Sequence, residues 1–365
     1  MKNYCPDLFQ NLFIQKTNSN QVELGFCCVS KLSPPLDKID FDNSYLENQR
    51  QKYLETNILP VGCSQCVRDE AANSTSRRLQ QIQNNKNHHW GTEKKLKFLQ
   101  YNCDNVCNLK CIACSSLYSS AWIEDEIKMG LRHTKKIKHT KHNNLLFDFD
   151  LSGIEQIYFN GGEPLLTQDH VYVLRYVANK TNPCNIHISY NTNATVIPDN
   201  EVINLWKKFA SVTLIASIDA IESQFEYIRY PGNWQVVKNN LDEYKKFSTV
   251  NIGANIGVHN IMYFDQLFNF AVENKIQFNF QSDTQGSLSL KNLPIHLKSI
   301  VKNYIYQVKE SSTKDILLNT LDTDNRCNLH WITYLKNLDK IRNTNWKNSL
   351  SSLYKLDPSF FDSHE

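Results

Sequence analysis

Lys97-Phe98-Leu99-Gln100-Tyr101 is an apolar run of strand length, and Cys107-Asn108-Leu109-Lys110-Cys111-Ile112-Ala113-Cys114 follows closely on it. Three thiolates, separated by three and then two residues, are thus delivered by a loop directly after a strand. Soft thiolate ligands select zinc or iron–sulfur clusters. Zinc commonly takes four protein ligands in two pairs. This loop offers three, with Cys103 four residues before the first as a possible fourth in a zinc knuckle. Three ligands on an iron cubane would leave one iron open to a non-protein ligand.

The sequence around the loop sets the fold. Further runs of strand length occur at 154–159, 186–190, 212–218, 250–256 and 276–280, each rich in β-branched or aromatic residues. Helix-like segments at 168–180, 200–208, 234–246 and 263–273 separate them. Six strands alternating with helices predict parallel β/α units. Six is fewer than the eight of a closed barrel. The expected fold class is therefore α/β, a partial (β/α)6 barrel over residues 95–285, with a flat doubly wound sheet as the alternative. Residues 286–365 read as a helical C-terminal extension. Residues 1–90 carry five cysteines and little regular periodicity, and their polar tail at 80–89 reads as a helix end running into a linker.

With 365 residues, 41% hydrophobic and 21% charged, the composition is that of a soluble globular protein. No apolar run approaches the roughly 18 residues of a membrane span, and the start lacks the apolar core of a signal peptide. These features set the expectation of a cytoplasmic protein without a membrane partner. The formal charge of +3 gives no indication of nucleic acid. Positive charge is concentrated at 132–142, read as a solvated insertion loop or, alternatively, a docking patch for an acidic partner. Eleven cysteines in a reducing compartment speak for metal rather than disulfides.

A second set of cysteines lies near the N-terminus: Cys5, the pair Cys27-Cys28, and Cys63-Ser64-Gln65-Cys66. Four thiolates suffice for a tetrahedral or a cubane site, so zinc and iron–sulfur both stand. Cys103, Cys184 and Cys327 read as buried small hydrophobes.

The Cys-x3-Cys-x2-Cys loop after the first strand of a β/α barrel resembles the radical S-adenosylmethionine superfamily. Asn160-Gly161-Gly162-Glu163-Pro164, one β/α unit later, is similar to that family's Gly-Gly-Glu-Pro motif. The resemblance implies a [4Fe-4S] cluster on Cys107, Cys111 and Cys114. Its open iron is chelated by the methionine amino and carboxylate groups of S-adenosylmethionine, and electron transfer releases a 5′-deoxyadenosyl radical. It further implies that Gly161, Gly162 and Glu163 bind the methionine amino group. Asn191 lies in a turn like the family's Thr-Asn-Gly, with Ala194 where glycine is usual. Ser217 and Asp219 resemble the positions that touch the ribose and carboxylate. Arg229 is expected to pair with the methionine carboxylate, and the strand bearing Gly253, Asn255 and Gly257 to run beside the adenine. Ala113 departs from the aromatic residue common before the third cysteine.

The segment from Cys63 to Arg78, with Leu338-Asp339-Lys340-Ile341-Arg342 near the C-terminus, looks like the twitch and SPASM-like members. The resemblance implies an auxiliary iron–sulfur cluster, read as [4Fe-4S], on Cys5, Cys27, Cys63 and Cys66. Cys27 is preferred to Cys28 because the family's leading cysteine usually serves. It also implies a reducing partner such as flavodoxin or ferredoxin. The alternative to the buried-hydrophobe reading of the three remaining cysteines is that one of them, with Cys327 preferred, is a hydrogen-atom donor of the kind used by related peptide epimerases. The expected function is a radical enzyme acting on a peptide or protein side chain, by epimerisation, crosslinking or oxidation. The alternatives are a sugar-like or amino-acid-like metabolite as substrate, and a non-catalytic iron–sulfur or zinc scaffold.

Overall fold

The computed structural model describes residues 4–16, 21–71, 76–85, 93–133, 146–147, 149–282, 286–308, 311–322 and 328–364. Among them are strands β1 (Asn11–Lys16), β2 (Val22–Gly25), β3 (Lys38–Ile39), β4 (Phe98–Asn102), β5 (Leu146–Phe147), β6 (Gln156–Asn160), β7 (His187–Thr192), β8 (Ser211–Ser217), β9 (Thr249–Asn255) and β10 (Gln277–Gln281). Eight of these form one sheet in the order β10-β9-β8-β7-β6-β4-β1-β2, and β3 pairs with β5. The pairings of β1 with β4, β4 with β6, β6 with β7 and β9 with β10 are parallel, and β1 with β2 is antiparallel. The fold is α/β with a mostly parallel sheet. The six expected strands are β4, β6, β7, β8, β9 and β10. β1 and β2 are additions from a region whose sequence shows no strand periodicity. β1 is buried at nearly every position, so it carries no alternating pattern to read.

Two compact units can be distinguished. The first comprises Met1–Asp104, Ile137–Asn191 and Pro198–Thr213, and the second Asn105–Lys136, Thr192–Ile197 and Leu214–Glu365. In the first, β4 continues the pairing of β1, from Asn11 opposite Phe98 to Gln15 opposite Asn102. Residues of β6 and β7 alternate by face. Ile157, Phe159, Ile188 and Tyr190 are buried, whereas Tyr158, Asn160, Ser189 and Asn191 are half-buried. The buried face docks helices. The Tyr190 hydroxyl meets His170 Nδ1 at 3.0 Å and accepts from Trp206 Nε1 at 3.1 Å. One side chain thus anchors both Asp169–Lys180 and Asn200–Trp206. The opposite face presents the half-buried Tyr158, Asn160, Ser189 and Asn191.

In the second unit β9 alternates likewise, with Val250, Ile252 and Ala254 buried and Asn251 and Gly253 on the other face. β10 pairs with it from Gln277 opposite Asn251 to Gln281 opposite Asn255. Helix Trp234–Tyr244 is capped by Asn233, whose side chain accepts the Val236 N–H at 3.0 Å. The C-terminal region is helical, with Ile295–Gln307, Ser311–Asp322, His330–Arg342 and three short helices after them. Trp331, Trp346 and Phe361 form its aromatic core through edge-to-face contacts. No helix among the described residues is long and apolar enough to cross a membrane.

Candidate functional site

The cysteine loop lies in the second unit and is held by its carbonyls. Ser119 Oγ donates to the Leu109 carbonyl (2.6 Å) and Arg342 Nη2 to that of Lys110 (2.8 Å). Trp122 Nε1 donates to the Cys111 carbonyl (3.0 Å) and the Tyr334 hydroxyl to that of Ile112 (2.6 Å). The Lys110 and Ile112 N–H groups donate in turn to the carbonyls of Tyr230 (2.5 Å) and Ile228 (2.8 Å). Beneath the loop, Arg342 pairs with buried Asp125 (2.9 Å), which also accepts from Lys110 Nζ (2.8 Å). The Arg342 guanidinium stacks over Trp122 and Tyr230. Nothing in local sequence marks Asp125, Trp122 or Tyr334. Arg342 alone had a signal, in the C-terminal segment noted above.

The sulfurs meet N–H donors. Arg229 Nη1 lies 3.7 Å from Cys111 Sγ, and Asn193 Nδ2 3.7 Å from Cys107 Sγ. Burial pushes the Cys111 thiol up to about 12 and Cys114 to about 11, and Arg229 pulls both back. A loop of three thiols with donors already turned to two of the sulfurs fits a group that binds them as anions. Asp219 and Arg229 form a buried pair at 2.8 Å. Asp219 Oδ1 also accepts the Asn255 N–H, and Asn260 Nδ2 bridges the carbonyls of Asp219 and Asn255. Both Asp219 oxygens are therefore engaged within the protein, while Arg229 keeps a buried Nε without a partner among the described residues. Ser217 ends β8 on its half-buried face. His259 is fully buried, with neither ring nitrogen bonded among the described residues, and burial lowers it to about 4.

In the first unit, Gly161 has φ +127°, and a Cβ there would stand 2.6 Å from both Asn102 Oδ1 and the Asp104 carbonyl. Only glycine fits that backbone and that approach. The Gly162 N–H donates to the same carbonyl (2.5 Å). Glu163 is buried and caps the short turn Pro164–Leu166 by accepting the Leu165 N–H at 3.2 Å. Asn191 lies on the polar face beside Tyr158, to which it is hydrogen-bonded. Tyr158 was not singled out from the sequence, although its place two residues before Asn160 puts both on one face.

The same unit brings the N-terminal cysteines together. Cys5, Cys27, Cys63 and Cys66 are all buried and line one cavity with Asp7 and Arg77. Cys63 ends the turn Val61–Cys63, and Cys66 falls one helical turn later in Ser64–Ala71. Cys27 is held by a tight turn in which its carbonyl accepts from Ser30 Oγ (2.9 Å) and from the Ser30 N–H (3.1 Å). Cys28 is exposed and does not line the cavity. Burial raises the thiols of Cys5, Cys27 and Cys63, the last to about 12. Four desolvated thiols around a cavity suit a group that replaces their protons. Among the described residues, no three His, Cys, Asp or Glu side chains are grouped to hold a single metal ion.

Cys103 is buried and hydrogen-bonded to Thr167, as a structural thiol should be, whereas Cys184 is exposed, contrary to the burial expected of it. It sits on the surface turn Pro183–Asn185. Cys327 and most of the basic stretch at 132–142 lie outside the described residues.

No family model matches the chain. Over 151 residues it is 26% identical to GTP 3′,8-cyclase of Clostridium botulinum, covering 41% of this chain and 44% of the relative. The chain resembles the radical S-adenosylmethionine superfamily. An uncharacterized protein of Archaeoglobus fulgidus is 24% identical over 179 residues, 49% of this chain and 39% of that one. The chain thus spans less than half the length of these relatives. Solved structures similar to it include anSMEcpe with bound AdoMet, at 18% identity and TM-score 0.38 over 58% of this chain and 61% of that one. Streptococcus suis SuiB bound to S-adenosylmethionine follows at 14% and 0.35, over 81% and 67%.

Proposed function

We propose that the protein is a radical S-adenosylmethionine enzyme that modifies a peptide or protein side chain. The single observation that carries the reading is the loop of Cys107, Cys111 and Cys114, fixed through its carbonyls and supplied with N–H donors at two sulfurs. Cys107, Cys111 and Cys114 would hold a [4Fe-4S] cluster, which would supply the one-electron chemistry that the resemblance implies for S-adenosylmethionine and, through it, for hydrogen abstraction from the substrate. Arg229 offsets the thiolate charge at Cys111, and Asn193 donates toward Cys107. Gly161, Gly162 and Glu163 hold the methionine amino group, and Asn191, Ser217, Asp219 and Arg229 complete the cofactor contacts, as the resemblance assigns them. Cys5, Cys27, Cys63 and Cys66 hold an auxiliary cluster in a twitch or SPASM-like domain at 1–90, ahead of a barrel at 95–285 and an extension at 286–365. Cys327 is the proposed hydrogen-atom donor, and flavodoxin or ferredoxin the proposed reductant. The substrate class comes from the resemblance of the Cys63–Arg78 segment to peptide-modifying proteins. The match to GTP 3′,8-cyclase favours a second reading, a small-molecule substrate.

The test is anaerobic reconstitution with iron and sulfide, then dithionite and S-adenosylmethionine, with 5′-deoxyadenosine as the readout. The wild-type chain should form it. The variants Cys107→Ala, Cys111→Ala and Cys114→Ala should not, and cleavage retained in all three overturns the assignment. Replacing Cys63 and Cys66 should remove about one cluster's worth of iron. Loss of zinc instead would make the N-terminal site structural.

A further inference from the structure

The cavity ringed by Cys5, Cys27, Cys63 and Cys66 also holds an ion pair with no role in the function proposed above. Asp7 is 2% exposed, and its Oδ2 accepts from Arg77 Nε at 3.2 Å. The pair is not saturated. Asp7 Oδ1 and Arg77 Nη2 are both buried, and neither has a hydrogen-bond partner among the described residues. An unmade hydrogen bond on a buried charged group is expensive, so a guanidinium left this way beside four thiols calls for an acceptor.

The neighbouring arginine shows the contrast. Arg78 is committed to Glu70 by an ion pair and to the Tyr4 carbonyl at 3.0 Å. Glu70 belongs to Ser64–Ala71, the helix that carries Cys66, so Arg78 ties the helix Arg77–Asn85 to the cysteine-bearing one. Arg77 lies instead within electrostatic reach of Cys27 and Cys28, and Asp7 within reach of Cys5, Cys27 and Cys63. The two charges act on the thiols with opposite sign. An iron–sulfur cluster responds to both influences, because its reduction potential is set by nearby charge and by hydrogen bonds to sulfur.

We propose that Arg77 is the charge-balancing residue of the N-terminal cluster, donating from Nη2 to a cluster sulfur, with Asp7 holding the guanidinium in place through Nε. The proposal rests on the reading of the four cysteines as a cluster site. Arg77 is a positioning and tuning residue and takes no part in bond cleavage. Arginine suits the role because its fork serves a carboxylate and a sulfur at once, whereas lysine offers only a point charge.

The test uses the full-length chain with Cys107, Cys111 and Cys114 all replaced by alanine, leaving one cluster to observe. After anaerobic reconstitution, iron is counted and the cluster is titrated redox-potentiometrically with paramagnetic resonance detection. Arg77→Gln should lower the reduction potential relative to this parent, and Asp7→Asn should raise it. Arg77→Lys should fall between the parent and Arg77→Gln. Opposite shifts in the first two variants support the proposal. Potentials that coincide with the parent, or that shift in the same direction, overturn it. If Arg77→Gln binds no iron, Asp7→Asn and Arg77→Lys decide by the same criterion. A parent that takes up no iron refutes the cluster reading itself and the proposal with it, whereas a loaded parent with unmoved variants refutes the proposal alone.

Discussion

Asp219→Asn isolates one charge at the centre of the second unit. The substitution keeps the shape of the side chain and an oxygen for the Asn255 N–H, which Asp219 now accepts at 2.8 Å. What it removes is the partner of Arg229, also at 2.8 Å, in a pair whose side chains are 3% and 9% exposed. Breaking a buried pair from one side leaves an uncompensated ion and costs about 3–5 kcal/mol. Arg229→Gln should cost a comparable amount by stranding the carboxylate. The double variant leaves two neutral amides within reach of one another, so its loss should fall short of the sum of the singles by about 2–3 kcal/mol, within the range found for coupled neighbours. The measurement is urea unfolding of the metal-free full chain, followed through tryptophan fluorescence, since Trp234 is buried in the same unit. Additivity of the two single losses to within about 0.5 kcal/mol would refute the coupling. Iron loading gives a second reading. It should survive in Asp219→Asn and decline in Arg229→Gln, because only the latter removes the donor beside Cys111.

Gly161→Ala should destabilise the chain by about 2–6 kcal/mol, combining backbone strain at φ +127° with a methyl 2.6 Å from a fixed carbonyl. A thermal melt unchanged within 2 °C would show the loop to be more pliable than that. Ala194 sits at φ +60° and is fully buried. Ala194→Gly should therefore be neutral within about 1 kcal/mol, strain relief offsetting lost packing and chain entropy, whereas Ala194→Val should cost more than about 2 kcal/mol. Equal stability of the two variants by denaturant titration would contradict the assigned backbone. His170 is kept neutral by burial, its value lowered from 6.5 to about 4. The unfolded chain binds the proton first as pH falls, so stability is lost between about pH 6.5 and 4, by about 3 kcal/mol, and His170→Phe should flatten that part of the profile. An unchanged slope would show that the imidazole is not what titrates.

The six expected strands were legible because each is a short run of β-branched and aromatic residues bounded by helical periodicity, and the structure places each within two residues of its expected start. β1 was not, because its residues are buried on both faces and its partner Phe98–Asn102 lies almost ninety residues away. The Gly161-Gly162 turn was legible through its place one β/α unit after the cysteine loop, and the structure gives Gly161 a backbone that requires glycine. The convergence of Cys5, Cys27, Cys63 and Cys66 was expected from the family resemblance, since spacing alone left Cys27 and Cys28 equivalent. The exposure of Cys28 came only from the turn closed by Ser30. Least legible was the knot under the cysteine loop. Arg342 reaches Asp125 and the Lys110 carbonyl from more than two hundred residues away, and no local signal encodes such a contact.

Four consecutive carbonyls of the loop at 109–112 are each captured by a side chain from another part of the second unit. Such a socket is templated by the polypeptide before anything is loaded into it. The path of this backbone is set by those four side chains and not by the sulfurs, so exchanging a cysteine for alanine should leave the loop's course in place.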